Sequence, residues 1–133
     1  MPEKNPKTTL YFTTLLSAYA PVVLWAGLIF YLSSQPILPG FYVETYDFIF
    51  KKCAHITVYA ILYFFAYRSQ TMTTTAKPMD RRTWLLPLLF VLLYAISDEF
   101  HQQFVEGRFG TTRDVGFDLL GASLAFLKLY RYI

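Results

Sequence analysis

Residues 96–108 have the sequence Ile96-Ser97-Asp98-Glu99-Phe100-His101-Gln102-Gln103-Phe104-Val105-Glu106-Gly107-Arg108, and this polar stretch lies between two strongly apolar segments. The whole chain is 55% hydrophobic and 20% aromatic but only 16% charged, with a mean hydropathy of +0.35. Soluble domains contain about 25% charged residues. The composition therefore indicates a membrane protein, in which ionisable groups between apolar segments mark a candidate functional site.

The fold predicted from the sequence is all-α, an integral membrane bundle of four transmembrane helices. The 133 residues are enough for about four spans of ~20 residues each with short loops. The predicted helices cover about residues 12–32, 47–67, 83–104 and 112–130, within a single domain at 8–133. Residues 1–7 are predicted to form a polar cytoplasmic tail, and residues 68–82 a polar loop. No segment has the sustained alternation that is typical of a strand.

The basic residues are distributed unevenly between the two predicted sides of the membrane. If the N-terminus is cytoplasmic, that side has 8 of the 12 Lys and Arg residues and two acids, whereas the outer side has four bases and seven acids. This is a positive-inside pattern. It predicts that both termini are cytoplasmic and that residues 96–108 face outward. The net charge of +3 is then explained by topology, and no nucleic-acid partner is expected.

Three of the predicted helices have a polar stripe at the outer end, with members three, four or seven residues apart and so on one helix face. The stripes are Lys52, His55 and Tyr59 on the second helix, Asp98, His101 and Gln102 on the third, and Asp114, Asp118 and Gly121 on the fourth. Ionisable groups inside a membrane protein usually face the bundle interior and pair with one another. The stripes therefore predict a shared polar pocket.

The charges of the predicted pocket do not balance. Two cations would face four carboxylates: Lys52 and Arg108 against Asp98, Glu99, Asp114 and Asp118. The two missing positive charges have several possible sources. These are a protonated His55 or His101, protonated carboxylates, Lys51 or Arg113 turned inward, or a divalent cation.

The residue types in the pocket allow several chemistries. His101, Asp98 and Glu99 are candidates for acid–base catalysis. A divalent metal is a possible cofactor, since imidazole and carboxylate are suitable ligands. Its candidate ligands are His55, Asp98, His101, Asp114 and Asp118.

Arg108 next to a glycine turn, with Lys52 across the pocket, suits a phosphate or a carboxylate. The alternative for Arg108 is an internal ion pair with Asp98 or Asp114. The candidate substrate-binding residues are Lys52, His55, Tyr59, Gln102, Arg108, Asp114 and Asp118.

The pattern of these residues resembles the VanZ-like family of bacterial membrane proteins. The resemblance rests on Lys52-x-x-His55-x-x-x-Tyr59, on Ser97-Asp98-Glu99-x-His101-Gln102-x-Phe104-Val105-x-Gly107-Arg108, on Asp114-x-x-x-Asp118-x-x-Gly121, and on Ser33-Ser34-Gln35-Pro36. The chain departs from the family pattern at Lys51, where Asp is frequent, and at Asp118, where Asn is common. The resemblance implies a multi-pass protein of the bacterial cytoplasmic (inner) membrane, in a family whose namesake is linked to resistance to glycopeptides, teicoplanin especially.

Three hypotheses on function follow. The pocket binds an anion or a lipid head group, such as a lipid-linked phosphate or a peptidoglycan precursor. Alternatively, the protein is an enzyme that acts on such a substrate through the Asp/Glu/His/Arg cluster. In the third hypothesis the polar cluster is a structural clasp between helices, without a ligand. Membrane lipids are expected partners in each case.

Overall fold

The fold consists of four α-helices, as the sequence predicts. The computed structural model describes the backbone of residues 6–36, 40–75, 77 and 80–133, and the side chains from residue 11 onward within those ranges. The helices are α1 (Pro6–Ser33), α2 (Glu44–Thr73), α3 (Arg81–Gln102) and α4 (Thr112–Leu129). There is no strand in these ranges. The all-α prediction is therefore confirmed.

The helices differ from the predicted ones mainly at their ends. Helix α1 begins at Pro6, inside the segment predicted as a tail, while residues 1–5 lie outside the described ones. Helix α2 continues to Thr73, and the hydroxyls of Ser69 and Thr73 donate hydrogen bonds to carbonyls three or four residues back in the same helix. The predicted loop at 68–82 is correspondingly shorter, and its residues 76, 78 and 79 are not among those described. Helix α3 ends at Gln102, two residues earlier than predicted.

Three helices are long and apolar enough to cross a membrane, at Tyr11–Ser33, Glu44–Thr73 and Arg81–Gln102. Only 17% of the span is buried within the protein in each of the first two, and 33% in the third. Their large apolar side chains therefore point mostly outward, as expected for helices surrounded by lipid. Helix α4 has 18 residues, of which four are charged, and it is not among these candidates.

Helix α2 packs most extensively against α4. The contact depends on Gly121, because a Cβ atom added there would overlap the backbone carbonyl of Ile56. Small residues allow two membrane helices to approach closely. The buried core lies between the helices and consists of Val22, Ile29, Tyr59, Leu62, Tyr63, Val91, Ala95 and Ala122.

Helix α1 is joined to α2 and α3 by aromatic side chains that donate hydrogen bonds to backbone carbonyls of the neighbouring helix. Trp25 donates from Nε1 to the carbonyl of Val58 on α2 at 2.8 Å. Tyr94 on α3 donates from its hydroxyl to the carbonyl of Ala26 at 2.6 Å. These bonds satisfy the polar tips of two aromatic side chains within the bundle, where water is scarce. They also fix the position of α1 beside α2 and α3.

We predict that Gly121→Ala destabilises the protein by about 1–3 kcal/mol, because the new methyl group forces α2 and α4 apart. The matched control is Gly116→Ala on the same helix, where nothing lies within 4 Å of the added atom. Helix propensity alone would stabilise both variants by about 1 kcal/mol. Unfolding in detergent should therefore show a lower midpoint for Gly121→Ala and an unchanged or higher one for Gly116→Ala. Equal shifts in the two variants would contradict the close contact.

Candidate functional site

The polar stripe of α2 contacts an acid at each of its positions. Lys52 Nζ forms an ion pair with Asp114 Oδ1, and His55 Nδ1 lies 2.8 Å from Asp118 Oδ1. The Asp118 carboxylate is fully buried. Residues three or four apart are one turn apart on a helix, so two successive turns of α2 face two successive turns of α4. The third member of the stripe, Tyr59, reaches α3.

Asp98 is the meeting point of the first three helices. Its Oδ2 atom accepts hydrogen bonds from Ser33 on α1 at 2.8 Å, from Tyr59 on α2 at 3.2 Å and from Gln102 on α3 at 3.1 Å. The side chain is only 3% exposed. Three donors on one oxygen stabilise a buried carboxylate that no lysine or arginine contacts within the described residues.

Glu99 connects the end of α3 to the beginning of α4. One carboxylate oxygen accepts the backbone N–H of Thr111 at 2.8 Å, and the other lies 3.3 Å from Gln102 Nε2. Thr111 is the N-cap of α4, and its hydroxyl accepts the backbone N–H of Asp114. Side-chain caps of this kind satisfy the free N–H groups of a first helical turn. Asp114 is thereby held at the N-terminus of α4, opposite Lys52.

Arg108 bonds to an amide and not to a carboxylate. Its Nη2 atom donates to Gln102 Oε1 at 2.9 Å. No ion pair links it to Asp98 or Asp114 among the described residues. The turn that precedes it uses the positive φ of Gly107, 78°, which a glycine adopts without strain.

His101 lies on the other side of α3 from Glu99, which is another of the predicted catalytic residues. Its Nε2 atom is 3.1 Å from the hydroxyl of Ser34, and its ring stacks on Phe30 at 4.6 Å. Asp98 and Glu99 are buried, whereas His101 is half-buried. At about 100° per residue, His101 is displaced by about 160° around α3 from Glu99. The structure therefore separates His101, next to α1, from Glu99, next to α4.

The two further cations considered from the sequence are engaged elsewhere. Lys51 pairs with Asp47 at 2.7 Å, one turn earlier on α2. Arg113 lies over the ring of Phe48, 5.5 Å from its centroid. Neither side chain contacts the buried carboxylates, so neither supplies the missing positive charge in this conformation.

A cavity of about 550 Å³ opens between these side chains. It has a polar part and an apolar part. The polar lining comprises Ser33, Lys51, Lys52, His55, Tyr59, Asp98, Gln102, Arg108 and Asp114. The apolar lining includes Ile29, Leu32, Phe50, Val58 and Phe109. The lining contains every candidate substrate-binding residue except Asp118, which lies behind His55, and does not contain Glu99 or His101.

The side chains of three neighbouring residues are of the types that bind metal ions: His55, Glu99 and Asp118. One ligand atom from each lies within 4.8 Å of the others. The set shares His55 and Asp118 with the candidates from the sequence and adds Glu99. Two buried carboxylate oxygens have no hydrogen-bond partner within the described part of the chain, Asp98 Oδ1 and Asp118 Oδ2.

Two polar residues of the site are not among the candidates from the sequence. Ser33 donates to Asp98, and Thr111 holds Glu99 and Asp114. Both lie at helix ends, at the C-terminus of α1 and the N-cap of α4. For Thr111 the available signal is its position three residues before Asp114, which is typical of an N-cap, whereas no rule of helix termini indicates the bond from Ser33 to another helix.

We predict that Lys52→Met lowers the free energy of unfolding by about 3 kcal/mol, because Asp114 is left without its partner in a largely buried site. The neighbouring Lys51→Met is the control. Its ion pair is exposed, with 46% of the Lys51 side chain accessible, against 14% for Lys52. Denaturant titration in detergent should therefore separate the two variants clearly, with Lys51→Met close to the unmodified protein. Losses of equal size would show that the Lys52–Asp114 pair does not stabilise the bundle.

The chain matches the VanZ/LLP1 family model over residues 10–132. Comparisons with curated proteins and with solved structures gave no match. The matched range includes the polar side chains of all four helices described above, from Ser33 on α1 to Asp118 on α4. The resemblance inferred from the motifs is thus confirmed over nearly the whole chain, and the protein belongs to the VanZ/LLP1 family.

Proposed function

We propose that this protein binds the phosphate-bearing head group of a membrane lipid or of a lipid-linked cell-wall precursor. The ligand would occupy the cavity between the four helices, at the extracytoplasmic face of the bacterial cytoplasmic membrane. Sequestration of such a precursor would be one physical route to the glycopeptide (teicoplanin) resistance that is linked to the family's namesake.

The proposal rests mainly on the surroundings of Arg108 in the cavity. Its guanidinium lies in the cavity lining and bonds to the neutral amide of Gln102, with no carboxylate partner among the described residues. A guanidinium has five N–H donors, so one bond to an amide leaves most of them available. Guanidinium groups bind phosphate through paired, charge-assisted hydrogen bonds. An arginine that lines a cavity of this size without a carboxylate partner is therefore a suitable phosphate site.

The remainder of the cavity suits a lipid better than a small soluble anion. Its apolar side includes Ile29, Leu32 and Val58, which lie within the candidate membrane spans of α1 and α2. A hydrocarbon chain placed there would be removed from water, while the head group reached the polar side. At about 550 Å³ the cavity lies within the range of ligand pockets, about 300–1,000 Å³.

Asp98 adds a requirement for a hydrogen-bond donor on the ligand. Its Oδ2 atom is occupied by three donors, whereas Oδ1 is buried and has no described partner. A bare phosphate would be repelled by this carboxylate. A head group with a hydroxyl or ammonium group besides the phosphate could instead donate to Oδ1 while the phosphate bonded to Arg108. Sugar-phosphate and amino-alcohol phosphate head groups both meet this condition.

We predict that Arg108→Gln loses most of the lipid that co-purifies with the unmodified protein. Native mass spectrometry of protein extracted gently from bacterial membranes would give the mass and amount of the bound species. Arg113→Gln is the matched control, because Arg113 is a nearby arginine in the first turn of α4 that lies over Phe48 and is absent from the cavity lining. Equal lipid content in the two variants, or an unmodified protein free of lipid, would contradict the proposal.

The outward orientation of the cavity is also part of the proposal. It is supported by the bases at the opposite end of the bundle, which are Arg68, Lys77, Arg81, Arg82, Lys128 and Arg131. Basic residues favour the cytoplasmic side of a bacterial membrane. We predict that green fluorescent protein fused to the C-terminus fluoresces, and that alkaline phosphatase fused there is inactive. The reverse pattern would place the cavity in the cytoplasm and exclude an extracytoplasmic ligand.

A further inference from the structure

Three helices each contribute one potential metal ligand to a single point beside the cavity. His55 comes from α2, Glu99 from α3 and Asp118 from α4, and one ligand atom of each lies within 4.8 Å of the others. Asp118 is fully buried and Glu99 is 4% exposed. We propose that these three residues bind a divalent cation. The site does not depend on the lipid-binding proposal, since neither Arg108 nor the apolar part of the cavity takes part in it.

A second observation indicates that something is bound there. Asp118 Oδ1 contacts His55 Nδ1 at 2.8 Å, but Asp118 Oδ2 is buried and accepts no hydrogen bond from the described residues. A buried carboxylate oxygen without a partner is costly, and such atoms are rare in proteins. Coordination of a cation through Oδ2 would satisfy that oxygen, and Asp118 is a member of the three-residue group.

The charge of the site supports the same conclusion. Glu99 and Asp118 together have two negative charges when ionised, and no lysine or arginine forms an ion pair with either in the described ranges. The nearby Lys52 is already neutralised by Asp114. A divalent cation balances Glu99 and Asp118, while His55 remains neutral as a ligand. The same ion also accounts for the two positive charges that the sequence leaves missing.

The ligand set restricts the kind of metal. One imidazole and two carboxylates combine a borderline nitrogen donor with hard oxygen donors, a set suited to Mn²⁺ or Zn²⁺ and poor for Ca²⁺, which prefers oxygen alone. Three protein ligands leave at least one coordination position for water or a ligand oxygen. His55 also lines the cavity, so the proposed cation would lie directly beside it.

The competing interpretation is a protonated His55 that forms a simple ion pair with Asp118. The two interpretations differ in their response to metal. Full-length protein with a tag free of histidine would be stripped with EDTA and titrated with Mn²⁺ and, separately, with Zn²⁺. We expect about one ion per chain by elemental analysis, and at least a tenfold weaker affinity in Asp118→Asn and Glu99→Gln. Glu106→Gln, an exposed acid on the α3–α4 connection, should bind as the unmodified protein does.

A spectroscopic measurement keeps the test decisive even if the buried variants fold poorly. Electron spin echo modulation of bound Mn²⁺ detects nitrogen from a coordinating imidazole, and the chain has two histidines. The nitrogen signal should vanish in His55→Gln and persist in His101→Gln. A stripped protein that takes up no stoichiometric metal, or a signal that depends on His101, would overturn the proposal. Arg108→Gln should keep the metal, so loss of lipid binding alone would leave this site intact.

Discussion

The close contact between α2 and α4 determines where the polar groups of this bundle lie. Gly121 allows the backbone of α4 to approach the carbonyl of Ile56. With the two helices this close, the short carboxylates of Asp114 and Asp118 reach Lys52 and His55 on α2. A larger residue at position 121 would separate the helices, and the ion pairs would be replaced by isolated charges in a poorly hydrated interior.

The free-energy cost of burying these charges is offset by polar contacts with side chains of other helices. Lys52 is neutralised by Asp114, and Asp98 is stabilised by three neutral donors from three helices. The Lys52–Asp114, Ser33–Asp98 and Tyr59–Asp98 contacts each join a different pair of helices, so the polar end also fixes their relative positions. Such contacts between helices are what the hypothesis of a structural clasp predicts. It is compatible with ligand binding, because Arg108 and one oxygen of Asp98 are not used by it.

Much of the fold and part of the site follow from sequence periodicity. Apolar segments separated by polar ones predict four helices, and spacings of three and four residues place Lys52 with His55 and Asp114 with Asp118 on single faces. What periodicity leaves open is the rotation of each helix about its own axis. On α3 that rotation decides that Glu99 faces α4 and that His101 faces α1, although both are polar and only two residues apart. The packing of Val91 and Ala95 in the core sets this rotation, and such packing is visible only in three dimensions.

Lys52 and Arg108, which both line the cavity, differ in a way that bears on ligand exchange. Lys52 is on a helix, largely buried, and held by a carboxylate whose position is fixed by the N-cap of α4. Arg108 follows a glycine turn on a connection and is half-exposed, so its guanidinium is partly hydrated before any ligand arrives. Moving a hydrated cation onto a phosphate costs less than breaking a buried ion pair. A ligand would therefore exchange at Arg108 while the Lys52–Asp114 pair and the helix packing remained unchanged.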